Sequence, residues 1–110
     1  ALRRARALCE GLAIDADRMR ANLDAARGAP LAEALVLALT PHAGRERAQA
    51  LVREGLEASR AHGTHLVEAV RARSDAPLDW GALADPANYL GSAEAQIDRV
   101  LAEAKRVLEG

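Results

Sequence analysis

Residues Leu31 to Leu39 read LAEALVLAL, and Glu33 is the only charge among them. Leu and Ala are strong helix formers. A helix with this composition has no polar face to turn to water, so it must be covered on several sides. That requirement constrains the whole chain. Either the other elements surround this helix, or part of its surface faces a partner or a further domain. With 110 residues the chain makes one domain at most, burying roughly 65% of its unfolded surface. Phe is absent, and Trp80 and Tyr89 are the only aromatics. The covering elements must therefore approach closely through alanine and glycine, with Leu and Val supplying most of the apolar area. β-branched residues are scarce, which argues against a sheet.

Helix signals fill the remainder. Ala1 to Gly11 reads as the tail of a helix ending near Gly11. Cys9 lies on its apolar stripe with Leu2, Ala5 and Leu12, and is expected to be a buried structural thiol. Asp15 is placed to N-cap a helix Ala16–Ala26 whose inner face holds Met19, Leu23 and Ala26. Pro30 suits the first turn of the apolar helix, and Thr40-Pro41 is expected to end it. Arg45 to Ala61 is amphipathic, with Ala48, Leu51, Val52, Gly55 and Leu56 inward. Gly55 in mid-helix costs about 1 kcal/mol relative to Ala, which points to a close helix crossing. Gly63 reads as a C-cap and Thr64 as the N-cap of a helix His65–Arg73, with Leu66, Val67 and Val70 inward.

Ser74 to Leu78 is the most loop-like segment. Asp79 then caps a short turn, Trp80–Ala84, stopped by Asp85-Pro86. Tyr89 and Leu90 are expected to pin the following loop to the core. Ser92 is expected to N-cap Ala93–Glu109, where Ile97, Val100, Leu101, Ala104, Val107 and Leu108 form one face. The spacing predicts an all-α fold, a small bundle of five or six antiparallel helices with short turns.

Charge and motifs exclude several functions. The net charge is −1, with nine Arg against seven acids in residues 1–55 and six basic residues against nine acids in 56–110. Neither half has the basic excess of a nucleic-acid or membrane-surface binder. The turn joining 45–61 to 65–73 faintly resembles a helix-turn-helix. Its second helix, however, carries Glu68 and turns Val67 and Val70 inward. No apolar run approaches the ~20 residues of a membrane span, and no signal peptide is read at the start. One cysteine permits no internal disulfide and suits a reducing, cytoplasmic setting. The chain opens in mid-helix without a Met, and is expected to be a piece of something longer.

No residue is singled out as catalytic, cofactor-binding or metal-ligating. His62, His65 and Glu68 have no cysteine near them and form no H-E-x-x-H pattern, so turn and helix-cap roles are expected of these histidines, and His42 sits in a turn. Ser59, Ser74 and Ser92 have no G-x-S-x-G setting. Asp15, Asp79 and Asp85 fall at helix ends, where capping explains them. There is no glycine-rich phosphate loop.

A resemblance goes further than these patterns. Its carriers run from Gly11-Leu12 through Asp15, then Arg18-Met19-Arg20-Ala21-Asn22-Leu23 and Ala32-Glu33-Ala34 with the apolar run. Gly44-Arg45, Leu83-Ala84-Asp85-Pro86-Ala87-Asn88-Tyr89-Leu90-Gly91 and Asp98-Arg99-Val100-Leu101 follow. In this order they resemble the C-terminal domain of the fumarase/aspartase superfamily, over nearly the whole chain. The branch holding adenylosuccinate lyases and 3-carboxy-cis,cis-muconate cycloisomerases is most similar, and within it the cycloisomerases.

Where the lyases have a Ser-x-Arg that holds a nucleotide phosphate, this chain has Ala32 and Ala34, which offer no charge-assisted donors. The resemblance implies that residues 1–11 are the tail of a central-domain helix and 12–110 a C-terminal helical domain capping an active-site cleft. It implies a homotetrameric parent acting on a small carboxylate substrate without metal or organic cofactor. The superfamily's G-S-S-x-M-P-x-K-x-N loop is absent here, so the catalytic groups are expected outside this chain. The competing expectation is a stand-alone helical interaction module.

Overall fold

A computed structural model describes all residues, Ala1–Gly110, and the chain is all-helical. In order, the helices are α1 (Leu2–Glu10), α2 (Ala16–Ala25), α3 (Ala32–Ala43), α4 (Arg45–His62), α5 (Leu66–Arg71), α6 (Trp80–Ala84) and α7 (Ala93–Glu109). Two 3₁₀ turns, Ala29–Leu31 and Pro86–Tyr89, precede α3 and follow α6. The count exceeds the expected five or six because Trp80–Ala84, capped by Asp79, is a short helix in its own right.

The core is the apolar helix and its two successors. Leu31, Leu35 and Leu39 lie at four-residue steps along one side of α3 and its lead-in. They meet Ala48, Leu51 and Val52 of α4 and Leu66, Val67 and Val70 of α5. Ala76, Leu78, Trp80, Leu83 and Ala84 pack over this cluster without being fully buried. α3 is therefore covered on one side only. Leu37, two residues from Leu35 and so on the opposite side of the helix, stands 68% exposed.

Gly55 is where α4 and α5 touch. A Cβ placed there would lie 2.5 Å from Val70 Cγ2 and 3.3 Å from Leu66 Cδ1. The expected close crossing is thus present, and its partner is α5. Gly55→Ala gains about 1 kcal/mol of helix propensity but overpacks a buried contact, which typically costs 1–3 kcal/mol. The expected net result is a loss of stability in chemical denaturation, recovered when Val70→Ala is added. Additive effects of the two substitutions would contradict a direct clash.

Several local expectations change. Pro41 lies inside α3 rather than ending it. A proline removes the bond to the carbonyl four residues back. That carbonyl belongs to exposed Leu37, where water can replace the lost donor. The helix closes instead at Gly44, whose N–H donates to the Thr40 carbonyl at 2.9 Å. The N-cap of α5 is His65, not Thr64: its Nδ1 accepts from the Val67 N–H at 3.2 Å. The Thr64 carbonyl accepts from Ser59 Oγ. Ser59 itself is buried, because it extends the inward row of α4 by one more turn. Ser92 makes no side-chain cap on α7; its Oγ accepts from Gln96 Nε2 at 2.6 Å.

The ends of the chain lie apart from this core. α1, α2 and α7 contain no buried residue, and the chain measures 57 × 28 × 24 Å. Its radius of gyration is 19.5 Å, against about 13 Å for a compact domain of this length. Cys9 is exposed, contrary to expectation, because nothing covers the α1 stripe. Met19, Leu23 and Ala26, expected as the inner face of α2, are likewise exposed, because no other helix packs closely over that face. The ion pairs on these helices, such as Arg6–Glu10 and Arg20–Asp24, are solvent-exposed and contribute little.

Candidate functional site

The most distinctive stretch of the sequence is a structural knot. Asp15 and Asp79 cap α2 and α6 as expected, accepting from the Arg18 and Ala82 N–H groups at 2.9 and 3.1 Å. Asp85 accepts from Ala87 N–H at 3.0 Å and starts the 3₁₀ turn. Asn88 Nδ2 then donates to the Ala82 carbonyl at 2.9 Å, and the Tyr89 hydroxyl donates to the Leu83 carbonyl at 2.8 Å. The end carbonyls of a helix have no partner within it. Here two side chains from six residues downstream satisfy those of α6. Burial pushes the Tyr89 phenol above its usual value, which keeps the donating proton in place. Tyr89 thus pins the loop to α6, although 40% of it remains exposed. Leu90 is more than half exposed and pins nothing.

The candidate chemical residues are not brought together. His42 and His62 are exposed, and His65 is engaged as a cap. No three His, Cys, Asp or Glu side chains converge on a possible metal position. Ala32 and Ala34 line two different grooves. Ala32 lies beside Val36, Thr40, Arg45 and Gln49, and Ala34 beside Leu23, Leu37, Pro86 and Tyr89. No helix is long and apolar enough to cross a membrane.

What the surface does present is apolar. α7 displays Ile97, Val100, Leu101, Val107 and Leu108, all more than half exposed, and α1 with its following loop displays Leu2, Leu8, Leu12 and Ile14. The sequence marked the α7 face correctly as a stripe. It carried no signal that the stripe would lack a neighbour within the chain. Two joints were missed: the His65 ring packed over Gly28 and the bond from the Ser59 hydroxyl to the Thr64 carbonyl. The second could have been read by continuing the α4 row past Leu56.

The structure is thus a helical domain with a small core and exposed apolar helix faces at both ends. The chain belongs to the family described as adenylosuccinate lyase C-terminus, which matches residues 28–100, and so to the fumarase/aspartase superfamily. It is 44% identical over 108 residues to the 3-carboxy-cis,cis-muconate cycloisomerase of Pseudomonas aeruginosa, covering 94% of this chain and 24% of that protein. The Acinetobacter baylyi cycloisomerase is 32% identical over 110 residues, covering 96% of this chain and 24% of that protein. The nitrosuccinate lyase of Streptomyces davaonensis is 37% identical over 99 residues, covering 86% and 21%. The chain thus spans about a quarter of the length of the curated relatives it matches. No solved structure matches it.

Proposed function

We propose that this chain is the C-terminal capping domain of a 3-carboxy-cis,cis-muconate cycloisomerase-like enzyme of protocatechuate breakdown. Residues 1–11 are then the tail of a central-domain helix and 12–110 the cap. The observation that carries the reading is the 44% identity to the Pseudomonas aeruginosa cycloisomerase over nearly the whole chain. The methyl side chains of Ala32 and Ala34 support it, since a nucleotide phosphate would find no hydroxyl or guanidinium at those positions.

In the reaction, a carboxylate oxygen of the substrate adds to one carbon of a double bond and closes a γ-lactone. A general acid delivers a proton to the neighbouring carbon. No metal or organic cofactor is needed for this step. The groups that perform it lie outside the 110 residues, in a cytoplasmic homotetramer whose other segments cover the apolar helix faces.

A second reading is a lyase of the same superfamily, acting on adenylosuccinate or nitrosuccinate. The family description and the Streptomyces davaonensis relative favour it.

The test is an absorbance assay of the full-length parent on 3-carboxymuconate, adenylosuccinate and nitrosuccinate. Lactone formation is the expected result, with no turnover by the 110-residue chain alone. Cleavage of either succinate instead establishes the second reading. Turnover by the isolated chain overturns the placement of the catalytic groups. A parent gene without the G-S-S-x-M-P-x-K-x-N loop would leave the stand-alone interaction module as the reading.

A further inference from the structure

Two turns meet where α2 leads into α3 and α4 leads into α5. Arg27 and Gly28 both have positive φ, 51° and 81°. Side chains rarely adopt that region, so Arg27 stores strain that its surroundings must offset. Three contacts hold it. The Leu66 N–H donates to the Arg27 carbonyl at 2.8 Å. The Arg27 guanidinium lies against Gly63, about 3.4 Å from where a Cβ would stand. The His65 ring covers Gly28 so closely that a Cβ there would fall 2.4 Å from Cε1.

The same His65 caps α5 through Nδ1. A nitrogen that accepts a hydrogen bond carries no proton, so the neutral ring is the Nε2–H tautomer. We propose that His65 is a protonation-sensitive latch joining the Arg27-Gly28 turn to the start of α5, closed with a neutral imidazole and released by the imidazolium. In the imidazolium both nitrogens are donors, and Nδ1–H would face the Val67 N–H. The cap is then lost and the ring is no longer fixed over Gly28, which leaves the strained turn held by the Leu66–Arg27 bond and the Arg27 guanidinium alone.

The charged groups around the ring are few. Arg20 and Asp24 of α2 line the same groove, paired with each other at 3.1 Å. Arg27 lies across the neighbouring turn at Gly63. Glu68, one turn along α5, is exposed. Ala84 and Pro86 face the groove without charge. No carboxylate oxygen, that of Asp24 included, lies within ion-pair distance of the His65 ring, so none holds the imidazolium in the closed geometry.

Long-range ¹H–¹⁵N NMR of the 110-residue chain at neutral pH reads the tautomer directly. The Nε2–H form is expected, and an Nδ1–H ring overturns the proposal. Hydrogen exchange then reads the release. On lowering the pH from about 7.5 to about 5, Val67 protection should fall roughly fivefold after correction for intrinsic rates, the loss of one cap. In H65N, whose amide caps at any pH, Val67 protection should not change. An equal fall in both proteins overturns the latch. If H65N does not fold, unchanged Val67 protection in the unsubstituted chain over the same range overturns it equally.

Discussion

Leu35→Ala is expected to abolish the cooperative melting transition of the chain, or to lower its midpoint by ~15 °C or more. Leu35 is fully buried, on the row that faces α4 and α5. Removing a leucine side chain at such a site costs about 2–5 kcal/mol, the transfer term plus the cavity. For a small domain each kcal/mol moves the midpoint by about 4–8 °C. The effect is large against what is available. Only 13 of 110 residues are buried, and a domain of this size rests on roughly 5–15 kcal/mol in total. With so few contributing residues the lower end applies. Leu37→Ala supplies the control on the same helix. Its side chain is mostly exposed, and an exposed substitution stays within about 0.5 kcal/mol. Far-UV circular dichroism melts of the two variants, side by side, make the check. A midpoint unchanged by Leu35→Ala would show that the core is not where Leu31, Leu35 and Leu39 place it.

That pair of leucines also shows how far the sequence could be read. Helix identity followed from propensity and punctuation: α4 begins at Arg45 as expected and runs one residue further, to His62. Its inward row, Ala48, Leu51, Val52 and Gly55, was legible because charges mark the opposite side. α3 carries no such mark. With apolar residues all round, nothing local distinguishes Leu35 from Leu37, and the choice is made by where α4 and α5 lie. α7 fails in the opposite sense: its stripe is well marked, yet a stripe does not say whether its neighbour belongs to the same chain. The knot at Asp85–Tyr89 was legible as a stop and a pin. Its hydrogen bonds back to α6 were not, because they depend on carbonyls that only the folded turn brings within reach. Each candidate Asp has a capping partner close by in sequence, as its place at a helix end led one to expect. A helix-cap role for His65 was legible, but the cap of α5 was assigned to Thr64, because a hydroxyl is a common cap and an imidazole a rare one.

The uncovered stripe of α7 leads to the second large effect. The chain is expected to self-associate, and Leu101→Glu to make it monomeric while leaving its core intact. Ile97, Val100, Leu101, Val107 and Leu108 are more than half exposed along one face. Covering the exposed part of each yields roughly 1 kcal/mol. Two copies pairing through this face would therefore gain on the order of 10 kcal/mol, against about 4–15 kcal/mol of lost rigid-body freedom. The balance gives weak, concentration-dependent association rather than a tight dimer. A carboxylate at position 101 would have to be desolvated at the centre of that contact, which costs several kcal/mol and outweighs the gain. Because α7 buries nothing within its own chain, the melting midpoint of the variant should shift by no more than ~3 °C. Sedimentation velocity over a concentration series separates the outcomes. A unsubstituted chain that stays monomeric at every concentration and melts at high temperature would contradict the expectation. In the full-length parent, where the proposed neighbours cover this face, the same substitution should instead destabilise the assembly. A parent indifferent to Leu101→Glu would mean that α7 faces water there too.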